Sequence, residues 1–536
     1  MGNIWTVHQI LKPIIGPSSS HTSAALIAGY LTYRLSFLDE LFPEINEENF
    51  KDSLRYIAIS FSCENPSVEE QAFIGHRSIR ALFIGLMGGY LDEEGRKNLE
   101  KARKILDNYE ENSLKDLTRV SFNPVRLPKG SAYGVSLHTV RKYKNVSYML
   151  NINSLGGGII RVIDTIASLP SGESIDFIER PDRVPDSDEL VRDIRELFSS
   201  DVPIWVYFDS PSLFRFRNYH SFRPDIVEQR TDFYTMLDKT LEKHPEEKNL
   251  ETMMVGELIH NLEEKHITAT SNMMKVVANL MWENNEKQVT SFRYSKYAKE
   301  EFAFYRPRHK SIFGKLINYT LNTQILNAEM EVVVSAPTGG ASGVLPANLR
   351  VFAEENKIKK SSKEFLYAHY TAAAIGAFIA NNMSVSGSQH GCLAEIGASV
   401  AMAAGALIDL MLDRNINLKK RAKMIFDGVA VALLGLQGLA CDPLFGYVEV
   451  PCILRNAILS ALPMQIAELL VSGYIPIMTL RCTIEAMKKT GEILTKALRE
   501  SGTGPITCAY ALCKLAEKGI EGEIISLFDR KIDWAK

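Results

Sequence analysis

Apolar and polar positions change rhythm twice along this chain. Over the first 165 residues, helical and strand patterns alternate. Thr22 to Ser36 has the apolar spacing of a helix, and Tyr56-Ile57-Ala58-Ile59-Ser60-Phe61 is apolar with the alternation of a strand. Pro66 to Met87 reads as a helix opening on a proline, where the missing N–H costs little. Asn145 to Asn153 reads as another strand, leading into Gly156-Gly157-Gly158. From about residue 170 to 250 come Pro-, Asp- and Arg-rich segments such as Arg180-Pro181-Asp182-Arg183, with Ile204-Trp205-Val206-Tyr207-Phe208 as the clear strand. After Glu251 the texture is helical and Ala-rich to about residue 515, the pattern of a buried multi-helix domain. No internal repeat is found. The pattern predicts an α+β multidomain protein. An N-terminal α/β domain spans 1–165, an insertion or linker 166–250, and a mostly α-helical domain 251–536.

Length and charge narrow the class. At 536 residues the chain exceeds one ordinary core, so two or three domains are expected. The 61 basic and 64 acidic residues nearly balance, which points away from nucleic acid and acidic membrane surfaces. Seven cysteines, an odd number in so long a chain, do not make a secreted disulfide framework. Met1 to Pro13 lacks the basic and then apolar layout of a signal peptide. The apolar stretch from Cys392 to Leu412 carries Glu395 and Asp409, each costly in hydrocarbon, so it reads as a buried helix. A soluble cytoplasmic enzyme with no membrane or nucleic-acid partner is expected.

Candidate chemistry gathers in short motifs. Cys392, Cys441 and Cys452 sit among small and turn-forming residues, in Gly391-Cys392-Leu393-Ala394-Glu395, Ala440-Cys441-Asp442-Pro443 and Pro451-Cys452-Ile453-Leu454-Arg455-Asn456. Three thiolates are one short of the four that close a cubane iron–sulfur cluster. Such a site would leave one iron open as a Lewis acid, an arrangement suited to removing a hydroxyl group. Spacing alone favours ordinary buried thiols instead, because no CxxC pair is present. Ser18, Ser19, Ser20, His21 and Thr22 place hydroxyls and an imidazole just before a helical pattern. A single serine would cap the helix, and the surplus favours a carboxylate-binding role.

These motifs, in order and residue type, resemble the iron–sulfur L-serine dehydratases. So do Gly16-Pro17-Ser18-Ser19-Ser20-His21-Thr22, Ser154-Leu155-Gly156-Gly157-Gly158, Gly387-Ser388-Gln389-His390-Gly391-Cys392 and Ala336-Pro337-Thr338-Gly339-Gly340-Ala341-Ser342-Gly343. The resemblance spans roughly residues 8–160 and 255–506. It implies a small α/β domain fused to a helical catalytic domain, and a 4Fe-4S cluster on Cys392, Cys441 and Cys452. It also implies a small amino-acid substrate, a homodimer, and a Ser18–Thr22 segment lying against the active site. Cys441 and Cys452 are eleven residues apart, as the later two ligands are in the family. Gly75-His76-Arg77-Ser78 resembles the family's Gly-His segment, which makes His76 a candidate base for the α-proton. Four positions depart from the family pattern: Ile79 replaces an Asp, Gly339 an Asn, Gly435 a His and Leu454 a Glu. They keep two alternatives open, a lyase acting on another small hydroxy or thiol acid and a non-catalytic sensor. The sequence ends Asp533-Trp534-Ala535-Lys536, so the terminal cysteine that caps the open iron in some relatives is not expected.

Overall fold

The computed structural model describes residues 7–35, 54–91, 99–108, 118–127, 133–141, 147–156, 159–168, 174–176, 206–208, 253–264, 270–302, 304–306 and 310–517. The chain divides into two compact units, residues 13–219 and residues 1–12 with 220–536.

The first unit is built on a seven-stranded sheet: β1 (Leu54–Cys63), β2 (Thr118–Pro124), β3 (Tyr133–Arg141), β4 (Ser147–Gly156), β5 (Ile159–Ser168), β6 (Ser174–Asp176) and β7 (Val206–Phe208). Its order is β2-β1-β3-β4-β5-β6, with β7 paired to β5. The pairings are antiparallel except β1 with β2 and β5 with β7. Register places Ile59 opposite Leu137, and Leu137 opposite Leu150, so one face is apolar and buried. The predicted strands at 56–61, 145–153 and 204–208 correspond to β1, β4 and β7. Strands β2, β3, β5 and β6 are additional; in β3, Tyr133, Val135, Leu137 and Thr139 point inward at period two.

Helices of this unit are α1 (Ala24–Leu35), α2 (Pro66–Gly75), α3 (Ser78–Leu86) and α4 (Leu99–Asn108). The helix expected over Pro66–Met87 is two. His76 ends the first turn-by-turn ladder, donating its N–H to Ala72 O at 2.8 Å, and Arg77 takes a left-handed conformation, φ 56°. A non-glycine residue at positive φ is uncommon, and here it redirects the chain into α3. Helices α1 and α3 cross at Gly29 and Gly85. A Cβ at either would lie 2.1 Å from a backbone carbonyl oxygen of the other helix, so only glycine permits this approach.

The second unit is helical, as the Ala-rich texture predicts. Helix α5 (Val255–Glu264) and α6 (Thr270–Glu286) are followed by α7 (Ile312–Ala328), α8 (Val344–Glu355), α9 (Lys363–Asn382), α10 (Cys392–Met411) and α11 (Leu418–Gly435). Beyond them lie α12 (Cys452–Leu459), α13 (Leu462–Val471), α14 (Leu480–Ile493) and α15 (Pro505–Glu517). Helix α10 is the centre, packed by α8, α9, α11 and α13. It and the stretch Cys452–Val471 have the length and apolar composition to cross a membrane, among the described residues. But α10 is 94% buried within the protein, and small residues such as Ala398, Ala401 and Gly405 let its neighbours close in, as a core helix does.

Asp409 near the end of α10 shows how its charge is tolerated. Its carboxylate accepts the N–H groups of Val255 (3.2 Å) and Gly256 (3.1 Å), the Thr371 hydroxyl (2.6 Å) and Arg421 Nη1 (3.0 Å). The same guanidinium donates to the carbonyls of Asp409, Leu412 and Asp413. A buried ion pair survives when hydrogen bonds satisfy the carboxylate and both terminal nitrogens of the guanidinium in this way.

Candidate active site

Two constellations are described, one in each unit. In the helical unit the three motif cysteines converge. Cys392 is the first residue of α10 and follows Gly391, whose φ of 77° excludes most side chains. Cys452 is the first residue of α12. Cys441 sits between them on irregular backbone, its N–H donating to Leu498 O (2.9 Å) and its carbonyl accepting Glu500 N–H (2.7 Å). All three thiols are buried and form no disulfide. Cys63 is also buried and free, whereas Cys482 and Cys513 are exposed and Cys508 is half-buried.

The thiols titrate as a group. Cys392 is lowered to about 7 by its hydrogen bond with Cys441 and by Arg455 beside it, against the opposing effect of burial. The Cys441 thiol is raised by that same bond and by burial; Cys452 is raised by burial and then by Cys392. One thiolate thus disfavours the next, and a single guanidinium does not offset three. Arg455 is anchored by Nη1 on Ala440 O at 2.7 Å.

Two acidic side chains join them. Glu395 is buried on α10, faces the Gly387 N–H, and is raised to about 8 by burial and by Cys392. Its carboxylate oxygen and the sulfurs of Cys392 and Cys441 lie within 4.8 Å of one another, a group able to hold a metal ion. Glu500 is raised well above the usual carboxylate range by burial, Glu395 and Cys392. The predicted Gly339–Gly343 turn reaches this place: Gly339–Ala341 is a buried 3-10 turn, and Asn456 Nδ2 donates to Gly340 O at 2.8 Å. Sequence reasoning missed Glu395, Arg455 and Glu500 as site residues. The signal for the first two is their place one helical turn after Cys392 and Cys452.

The other constellation is in the α/β unit. Residues Ser19–Ser23 form a π-helical turn ahead of α1, and Ser18 caps it by accepting His21 N–H. Ser20 Oγ lies 3.0 Å from His21 Nδ1. Thr22 donates its hydroxyl to His76 O at 2.7 Å, which ties the two predicted segments together. The His21 ring lies 4.5 Å from that of His76, 4.9 Å from Tyr133 and 5.1 Å from Phe73, centroid to centroid. Tyr133 OH donates to His21 O, and Ser154 Oγ donates to Ser20 O, so the predicted Ser154 motif braces the serine turn from the sheet. Ser19 is buried in the same turn. Burial lowers His21 to about 3; burial and His21 together lower His76 well below the ordinary histidine range. Both imidazoles are neutral at pH 7.

The four departures divide. Gly339 is buried in the turn beside Gly340, and Ile79 is half-buried in α3. Leu454 is 47% exposed, and a Cβ at Gly435 would meet no atom within 4 Å. The last two positions are therefore open to solvent.

Three buried thiols, a carboxyl and a guanidinium meet on a helical scaffold, and Cys392, Cys441 and Glu395 among them are spaced so that they could hold a metal ion. Comparison with known proteins gives the chain a family. The serine dehydratase alpha chain family matches residues 100–507, and the chain belongs to that family, one of lyases. It is 32% identical over 219 residues to the probable L-serine dehydratase alpha chain of Bacillus subtilis (strain 168), covering 40% of this chain and 70% of the relative. The L-serine dehydratase alpha chain of Peptoniphilus asaccharolyticus is 29% identical over 244 residues, 45% of this chain and 76% of the relative. L-serine dehydratase TdcG of Escherichia coli (strain K12) is 35% identical over 189 residues, 35% and 39%.

Proposed function

We propose that this chain is a cytoplasmic, homodimeric L-serine dehydratase that converts L-serine to pyruvate and ammonia, with a 4Fe-4S cluster held by Cys392, Cys441 and Cys452. The observation that carries the reading is the meeting of three buried thiols, from three separated motifs, in a chain of this family. The donor set fits the group: thiolates are the ligands that select iron–sulfur clusters, and a positive centre relieves the mutual repulsion of the three neighbouring thiolates. When bound, the cluster supplies a Lewis acid that makes the β-hydroxyl a tolerable leaving group.

The chain's own residues supply the rest. The Ser18–Thr22 turn offers hydroxyls and N–H groups ahead of a helix N-terminus, a setting that suits the substrate carboxylate. His76 is neutral, so its imidazole can accept a proton, and we assign it the α-proton of serine. His21, held by Ser20, packs against it and keeps it from acquiring charge in the resting state. Arg455 offsets thiolate charge at Cys392. Loss of the α-proton and the β-hydroxyl leaves an aminoacrylate. Its tautomer, an imine, hydrolyses to pyruvate and ammonia.

The test is anaerobic reconstitution with iron and sulfide, followed by assay of ammonia and pyruvate from L-serine. Both products in equal amounts, from a brown and oxygen-labile protein, are expected. A loaded protein inert to L-serine but active on another small hydroxy or thiol acid would move the substrate, as Ile79 and Gly339 would favour. A protein that takes up no iron would sink the cluster mechanism.

A further inference from the structure

We propose that Glu395 is a further ligand of the metal centre. In the substrate-free enzyme its carboxylate binds the iron that the three cysteines leave without a thiolate, and it gives way when substrate arrives. The inference rests on the cluster reading above.

Placement comes first. Glu395 lies one turn after Cys392 on the same helix, so both side chains leave one face. Its oxygen and the sulfurs of Cys392 and Cys441 are within 4.8 Å of one another. Space comes second. A Cβ at Gly340 would lie 3.1 Å from Glu395 Oε2, and one at Gly387 would lie 2.9 Å from that oxygen and 3.2 Å from Cys441 Sγ. Any side chain at 387 would fill the gap between carboxylate and thiol. Charge comes third. The donor facing Glu395 is the neutral Gly387 N–H, and the buried Thr338 hydroxyl beside it has no hydrogen-bond partner among the described residues. No ion pair to Glu395 exists among the described residues, and Arg455 serves Cys392 and Ala440 instead. A buried carboxyl beside thiolates is costly unless a metal cation supplies the missing charge. Donor chemistry agrees. A carboxylate oxygen is harder than a thiolate and exchanges more readily, and a Lewis-acid iron needs a position that can open.

The full-length chain is reconstituted anaerobically, and its paramagnetic reduced state is examined by electron–nuclear double resonance in oxygen-17-enriched water. Wild type without substrate is expected to show no oxygen-17 coupling at the cluster. Glu395→Gln, with its cluster retained, is expected to show one, because water takes the vacated position. Saturating L-serine should bring the two spectra together. An oxygen-17 coupling in substrate-free wild type overturns the proposal without reference to any variant, so poor folding of Glu395→Gln leaves it falsifiable. Identical substrate-free spectra of wild type and a fully loaded Glu395→Gln overturn it too. Failure of wild type to take up iron is a different result, since it removes the cluster reading itself.

Discussion

Asp442→Ala should loosen the thiol site by a calculable amount. The segment from Leu498 to Thr507 grips the loop that carries Cys441. Leu498 O and Glu500 N take both backbone groups of Cys441, Asp442 Oδ2 accepts Ile506 N–H at 2.7 Å, and Phe445 N–H donates to Thr507 Oγ1 at 2.9 Å. The Asp442 carboxylate thus holds the first turn of α15. A hydrogen bond to a charged group contributes about 1.5–3 kcal/mol, and a lost helix cap costs about 0.5–2 kcal/mol. These describe the same contact, so we take about 2 kcal/mol, a roughly thirtyfold rise in the open population of the clamp. Hydrogen exchange by mass spectrometry reads this directly, because local opening sets the rate of each amide. Amides of Cys441, Glu500 and Ile506 should exchange about thirty times faster, while those of α10 stay protected. Asp442→Asn keeps a neutral acceptor and should lose about half as much. Gly504→Ala, whose Cβ would lie 2.3 Å from Asp442 Oδ1, should open the same amides without touching the carboxylate. Unchanged exchange at those amides in Asp442→Ala, or a uniform rise over the whole chain, would refute the clamp.

Other expectations are simpler. Serine in place of Cys392, Cys441 or Cys452 should each abolish or sharply reduce iron and sulfide content after reconstitution, while serine at Cys482 or Cys513 should leave both unchanged; colorimetric iron and sulfide analysis decides. His76→Ala should retain its iron and lose roughly 10²- to 10⁴-fold in kcat for L-serine, the usual worth of a positioned base; an unchanged kcat would remove His76 from that role. Burial holds His8 and His369 down to about 4 against an ordinary 6.5, so the unfolded chain binds more protons than the fold between those values. Their stabilising contribution is complete above pH 6.5 and is lost as pH falls toward 4, on the order of 3 kcal/mol for each. Urea midpoints at pH 7 and 5 measure it, and His369→Gln should flatten the fall.

The helical half was largely legible at its centre, where burial is nearly total. A helix packed on all sides writes a long run of small and apolar residues, and Cys392–Met411 is such a run. The α/β half was less so. The alternation in Tyr133–Arg141 is short, and its polar positions Ser136 and His138 mask a buried face that only pairing with β1 and β4 completes. The break at Arg77 could not be foreseen from apolar spacing, since nothing in a run of helix-compatible residues announces a left-handed arginine. The cysteines gained their role from the family resemblance of their motifs, since spacing alone favours ordinary buried thiols. Glu395 escapes notice because a charge inside an apolar helix reads first as an argument against a membrane span, and Arg455 because it reads only as part of the Cys452 motif.

That oversight has a physical lesson about this site. Asp409 and Glu395 sit on the same buried helix, and both are carboxyl groups in a place that disfavours charge. Asp409 has a guanidinium, a hydroxyl and two N–H groups, and it is structural. Glu395 has no cationic partner among the described residues, and burial and Cys392 disfavour its ionised form. The fold neutralises a buried carboxylate completely at one end of the helix and not at the other, and the proposal assigns the missing charge at the second to a cation. The contrast between the two ends of α10, rather than either residue alone, is what directs the metal-ligand test to Glu395.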